Sequence, residues 1–199
     1  MGRSFTADDN TMTKILFWDT ETTGLPQWQE PSDSESQPHL VQLAAILVDG
    51  SREEIQTLDV IIKPDGWEIP KETIDIHGIT TERAMDEGIP EAEALDQFIE
   101  LYRQCGLRVA HNTTFDNRMI RIALKRYRQD LISDEEWKDK TRYFCTLMSA
   151  RKIMGGKNGH TLGECYTYFC GKPLEGAHNA MVDTRACMEI YWAMQDRPF

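Results

Sequence analysis

A mixed α/β domain is what this sequence predicts, and three features point to it. Strand-length apolar runs come first, at 15–18, 40–48 and 55–62. Segments with helical spacing then alternate with one further short apolar run, at 107–110. Nothing repeats and no linker sets off a second domain, so the 199 residues fit a single core. Strands first and strand–helix alternation afterwards mark a sheet that combines antiparallel and parallel pairs.

In chain order, residues 1–12 are polar and aperiodic and read as a loose leader, leaving 13–199 as the domain. Ile-Leu-Phe-Trp at 15–18 reads as a short buried strand. PQWQEPSDSESQP, 26–38, has no period and carries Pro, Ser and acids, the marks of a solvated loop. The runs at 40–48 and 55–62 flank Asp49-Gly50-Ser51-Arg52, a connection short enough to pair them antiparallel. GWEIPKETIDIHGIT, 66–80, reads as a loop, because Pro70 discourages a regular strand. Pro90 opens a helix in which Ala94, Leu95, Phe98, Ile99 and Tyr102 share a face. Leu107–Ala110 is a short strand, and 115–127 a helix with Phe115, Met119, Ile122 and Ala123 on one side. Residues 144–148 fit a strand or a helix start equally. Thr161 and Glu164 have capping-box spacing ahead of a helix that ends near Phe169. A last helix carries Asp183, Cys187, Ile190, Tyr191 and Met194 on one stripe.

Chemistry enters at DTETTG, 19–24, directly after the first apolar run. Side chains two apart on an extended chain share a face, so Asp19 and Glu21 point at one place. From this segment alone, a turn cap beside a solvated glutamate is an equal reading. Asp116 enters the first turn of a helix after the strand at 107–110, where compensation of the helix dipole is an ordinary role. Asp183 stands out more, because a carboxylate on an apolar stripe needs a partner. Four carboxylates converging in low dielectric would repel one another unless cations share the site. Hard divalent ions take oxygen ligands, and a pair of them can clamp a phosphodiester under attack. His178, in the turn entering the last helix, offers an imidazole that accepts a proton near neutral pH.

DTETTG at 19–24, AHNTTFDNRM at 110–119 and HNAMVD at 178–183 together resemble the three motifs of the DEDDh 3′–5′ exonucleases. That family includes the proofreading subunit of bacterial DNA polymerase III and related stand-alone or phage enzymes. IHGIT at 76–80 resembles the segment between its first and second motifs. The resemblance implies a ribonuclease H-like mixed five-stranded sheet, strands 1–3 antiparallel, flanked by helices. It implies Asp19, Glu21, Asp116 and Asp183 as ligands of two Mg²⁺ or Mn²⁺ ions, and His178 as general base. Thr22, Thr23, Leu25, His77, Gly78, Asn112 and Phe115 would meet the terminal nucleotide. Phe115 also begins its helix's apolar stripe, and Leu25 equally covers the core edge. The implied reaction is hydrolysis of terminal phosphodiesters at single-stranded or frayed DNA 3′ ends, releasing nucleoside 5′-monophosphates, as in replication proofreading or repair. The stretch at 27–38 is longer than the proofreading subunit's pattern. The chain ends soon after its last helix, so a stable polymerase partner is not expected.

Composition bounds the alternatives. A formal charge of −11 argues against tight nonspecific duplex binding, although metals in a cleft can neutralise the phosphates being processed. No apolar run is of membrane-spanning length, so no membrane partner is expected. Five cysteines without a close pair point to reduced thiols in the cytoplasm. An exoribonuclease trimming RNA ends would need a basic patch, for which Arg118, Arg121, Lys125, Arg126 and Arg128 are the candidates. An inactive binding or scaffold module would keep the costly acidic quartet without use for it.

Overall fold

A computed structural model describes residues 14–155 and 160–197. The leader expected at 1–12 lies outside them. Five strands form one sheet: β1 (Ile15–Thr22), β2 (Leu40–Val48), β3 (Glu54–Ile61), β4 (Leu107–Ala110) and β5 (Tyr143–Cys145), in the order β3-β2-β1-β4-β5. β1 pairs antiparallel with β2 and parallel with β4; β2–β3 is antiparallel and β4–β5 parallel. The mixed sheet is therefore as expected. The C-terminal ends of β1, β4 and β5 share one edge, the place where parallel sheets carry their ligands.

Alternation along β1 separates two cores. Leu16 and Trp18 face one side, under α3 (Glu91–Gln104) and α4 (Thr113–Tyr127). Ile15 and Phe17 face the other, under α8 (Ala180–Gln195), where Phe17 meets the Tyr191 ring edge-on at 5.4 Å. Burying each such large side chain contributes about 1.5–3 kcal/mol, so β1 is anchored from both faces. α6 (Thr146–Met154) and α7 (Leu162–Cys170) close the α8 side. The capping box of α7 is present, with Glu164 N–H donating to the Thr161 hydroxyl and Thr161 N–H to the Glu164 carboxylate.

Several expectations need correction. β1 does not stop at Trp18: Asp19 pairs opposite Ala44 and Glu21 opposite Gln42, so both acids lie within the ladder. Its polar end reads as loop only because strand signals rest on apolar content. The stretch 66–80 is not a loop. It carries α1 (Lys71–His77), which starts after Pro70, and leads into α2 (Thr81–Glu87), capped by the Thr80 hydroxyl. Each helix has seven residues and few buried side chains, too little for a periodic signal. Residues 143–154 supply both readings in turn, β5 and then α6. A further short helix, α5 (Asp134–Trp137), buries Trp137. The stretch 26–38 is a loop, but one organised around Gln37, whose buried amide donates to the carbonyls of Gln27, Glu30 and Pro31.

Among the described residues no helix is long and apolar enough to cross a membrane. All five cysteines are free.

Where α2 ends against β3, Gly88 allows backbones to touch. A Cβ there would lie 2.3 Å from the Ala84 carbonyl and 2.6 Å from the Lys63 nitrogen. Gly88→Ala is expected to destabilise the protein by about 1–3 kcal/mol, from overpacking against rigid backbone. Urea unfolding monitored by circular dichroism measures it.

Candidate active site

The acids reach one place from three directions. β1 delivers Asp19 and Glu21 on its α8 face, and the Ala44 opposite Asp19 leaves room for a carboxylate. α4 delivers Asp116 across the sheet edge. Its Oδ1 accepts from the Thr20 backbone N–H at 3.1 Å and the Thr20 hydroxyl at 2.8 Å, which fixes the side chain. Asp183 comes from the first turn of α8. Gln42 ties that turn to the sheet: its Oε1 accepts from the Ala180 N–H at 3.0 Å, and its Nε2 donates to Asp59 at 2.8 Å.

His178 stands exposed in the turn before α8, with a left-handed φ of 67°. Its backbone N–H donates to Asp183 Oδ2 at 3.0 Å, so this acid holds the histidine's turn. Glu21, His178 and Asp183 each present a ligand atom within 4.8 Å of the others. The second carboxylate oxygen of Asp183, Oδ1, is buried and has no protein partner.

Electrostatics show the crowding. Burial, then repulsion from Asp116, Asp183 and Glu21, raises the Asp19 carboxyl well above the usual range. Burial and the charges of Asp183 and Asp116 push Glu21 up to about 8. Burial raises Asp116 to about 7 against the opposing Thr20 hydrogen bonds. Asp183 is raised by burial, partly offset by the His178 N–H. Carboxylates in mutual repulsion and an orphaned buried carboxylate oxygen, with one imidazole beside them, fit a hard divalent cation. Structural zinc would want thiolates, and no cysteine belongs to the clustered ligand set.

The other sequence-predicted residues surround this cluster. Thr22 donates its hydroxyl to the Gly24 carbonyl and the Thr23 hydroxyl accepts from the His39 N–H, so both side chains hold the turn itself. Leu25 is 78% exposed beyond them. Gly78 closes α1 with a φ of 73°. The neighbouring His77 accepts from the Ile79 N–H at Nδ1, which puts its proton on Nε2, buried without a protein partner. Burial and the nearby His178 lower the His77 pKa, keeping it neutral. Asn112 is exposed before α4, and Phe115 packs half-buried against the core. His111 is a second imidazole near this edge, but burial pushes its pKa down to about 4.

Thr20 and Gln42 escaped the sequence reading. Gln42 carried a signal, as the one polar residue inside LVQLAAILV. Thr20 carried none, because its role depends on Asp116 arriving from another helix. The candidate basic patch is largely engaged: Arg128 pairs with Asp96, Arg121 and Lys125 with Asp134, and Arg118 and Arg126 donate to carbonyls of the 26–38 loop.

The raised carboxyls set a pH dependence. Glu21 binds a proton in the native state up to about pH 8, whereas an unfolded glutamate releases it near its ordinary value of 4.5. Between those values the native state holds more protons, so metal-free stability falls as pH rises through the window. Thermal unfolding in EDTA is expected to show Tm declining from pH 5 to 8, with Mg²⁺ or Mn²⁺ restoring most at the alkaline end. Asp19→Asn removes a carboxyl that burial and its acidic neighbours make costly to ionise, and is expected to raise the metal-free Tm at pH 8, by about 2–4 °C for each kcal/mol relieved.

Comparison with known proteins gives the family. A family model described as exonuclease, of the RNase T type, matches residues 16–191. DNA polymerase III subunit epsilon of Salmonella typhimurium is 29% identical over 187 residues, covering 92% of this chain and 72% of that protein. Ribonuclease T of Actinobacillus pleuropneumoniae is 27% identical over 194 residues, covering 90% and 82%. Among solved structures, E. coli exonuclease I in complex with a dT13 oligonucleotide superposes with a TM-score of 0.72 at 21% identity. The match covers 93% of this chain but only 41% of exonuclease I, so that likeness is one of fold. With the family model spanning nearly the whole chain and the three acidic motifs in order, the protein belongs to the exonuclease family, in its DEDDh 3′–5′ branch.

Proposed function

We propose that this exonuclease removes nucleotides one at a time from single-stranded or frayed DNA 3′ ends, releasing nucleoside 5′-monophosphates. The observation that carries the reading is a mutually repelling acidic quartet, Asp116 and Asp183 buried and Asp19 and Glu21 partly buried, with an exposed imidazole beside it. Asp19, Glu21, Asp116 and Asp183 would hold two divalent ions, Mg²⁺ or Mn²⁺. When bound, these supply Lewis-acid stabilisation of charge on the phosphate under attack and on the departing 3′ oxygen. His178 takes the proton of the attacking water, and its exposure gives that proton a route to solvent. Asp183 keeps His178 in place through the backbone N–H it accepts. His77 Nε2–H donates to an oxygen of the terminal nucleotide, and exposed Leu25 covers its base.

The DNA preference is supported by the likeness to two epsilon subunits of DNA polymerase III, from Salmonella typhimurium and Escherichia coli. The likeness to ribonuclease T supports a second reading, trimming of RNA 3′ ends. Labelled single-stranded DNA, mismatched duplex and RNA, each with Mg²⁺ or Mn²⁺, separate the two. A ladder growing from the 3′ end is expected on DNA, and exclusive cleavage of RNA would reverse the preference.

Asp183→Ala is expected to abolish hydrolysis while circular dichroism stays native; full activity would remove the metal assignment. His178→Ala is expected to lower kcat by roughly 10²–10⁴-fold and to erase the acidic limb of the pH–rate profile. An unchanged profile would count against the base.

A further inference from the structure

One acid on the sheet belongs neither to the quartet nor to an ion pair. Asp59 lies on β3, is exposed, and opposes Ala44, which in turn opposes Asp19. Directly opposed antiparallel residues share a face, so Asp59 stands on the α8 side of the sheet with the site acids. An exposed carboxylate on an edge strand ordinarily does no more than keep that edge from pairing with another chain. Here a cation is at hand and is engaged elsewhere: Arg83 lines the same cleft of ≈ 300 Å³, yet it pairs with Glu87. Among the described residues, the hydrogen-bond partner of Asp59 is the side-chain amide of Gln42, whose Nε2 donates to it at 2.8 Å.

An amide has a donor end and an acceptor end, and its orientation decides which it offers. With Nε2 turned to the Asp59 carboxylate, Oε1 is left to face α8, where it accepts from the Ala180 N–H at 3.0 Å. Turned over, the amide would set oxygen against carboxylate and leave the buried Ala180 N–H without an acceptor. No other bond does the same work. The next three N–H groups are satisfied locally: Asn179 Oδ1 accepts from Met181 and Val182, and the Asn179 carbonyl accepts from Asp183. Among the described residues of this turn, 176–184, the Ala180 N–H alone hydrogen-bonds to the sheet. Two residues earlier, His178 holds a left-handed φ of 67°, a conformation that persists only where its surroundings over-determine it. Asp183 supplies one restraint through the His178 N–H, and Gln42 supplies the other.

We propose that Asp59 is a remote positioning residue for the reaction: by orienting the Gln42 amide it holds the entry turn of α8, and with it His178 and Asp183, against the acids of β1. The inference rests on the exonuclease reading and adds to it a residue outside both the quartet and the proposed nucleotide contacts. What the amide requires is an acceptor oxygen and not a charge. Asparagine keeps one such oxygen and serves in place of the aspartate, whereas leucine does not.

The test uses the whole chain, with Asp59→Leu and Asp59→Asn as variants at an exposed position that tolerates both in the folded state. kcat and KM are measured on single-stranded oligo(dT) at saturating Mn²⁺, and amide hydrogen exchange is followed by NMR in the metal-free proteins. Asp59→Leu is expected to lower kcat by about 10–100-fold with KM kept within about twofold, the signature of displaced catalytic groups. Exchange at the Ala180 amide is expected to quicken by about tenfold or more, while the amides of β1 and β2 keep their native rates. Asp59→Asn is expected to restore both readouts. Either a native kcat or a native Ala180 exchange rate in Asp59→Leu would overturn the proposal. So would Asp59→Asn as impaired as Asp59→Leu, or exchange that rises throughout β1 and β2, which marks a general loss of stability. Absence of cleavage by the native protein would instead sink the exonuclease reading, and exchange at Ala180 would then decide the Asp59 restraint by itself.

Discussion

Everything at the working edge of this molecule depends on one electrostatic constraint: four carboxylates share a space too dry for them to be charged together. Burial raises all four above their ordinary values, and repulsion from neighbouring acids adds to the rise at Asp19, Glu21 and Asp116. A protein assembled for stability alone would replace them with amides or alkyl groups. Keeping them means that the resting state stores a demand for positive charge, which a divalent cation answers and a monovalent ion or a proton answers only in part.

The fold contains that strain by spreading its sources. Two acids come from a central strand with apolar packing on both faces, one from a helix above the sheet and one from a helix below it. Neutral groups do the positioning. Thr20 fixes Asp116 through two hydrogen bonds, and Gln42 fixes the first turn of α8. Neither adds charge to a place that already has too much. The same economy appears in the 26–38 loop, where an uncharged amide, Gln37, gathers the carbonyls and two arginines of α4 dock the result.

Asp183 was legible in the sequence because it interrupts an apolar stripe, whereas Asp19, Glu21 and Asp116 each have an ordinary local role and were legible only through the three motifs in order. The strands at 40–48 and 107–110 were legible from apolar content alone. What stayed hidden was either too short or too distributed. α1 and α2 bury too little for a period to emerge, and the polar end of β1 is a strand only because β2 lies beside it. The order inside the 26–38 loop is set by side-chain to backbone hydrogen bonds across about ten residues, which no local pattern records. Thr20 is the limiting case, a residue whose role exists only in three dimensions.

Gln42 carries one more implication. It links β2, β3 and α8 through a single amide, and it lies on the same sheet face as Asp19 and Glu21. Because side chains alternate along a strand, a slip of β2 by one residue would turn that amide to the opposite face. A valine or a leucine would take its place, α8 would lose its mooring, and Asp183 and His178 would drift from the β1 acids. A misregistered chain could still bury most of its hydrophobic surface, yet it would have no assembled centre. Fidelity of strand pairing and the gathering of these side chains are therefore tied to the same amide.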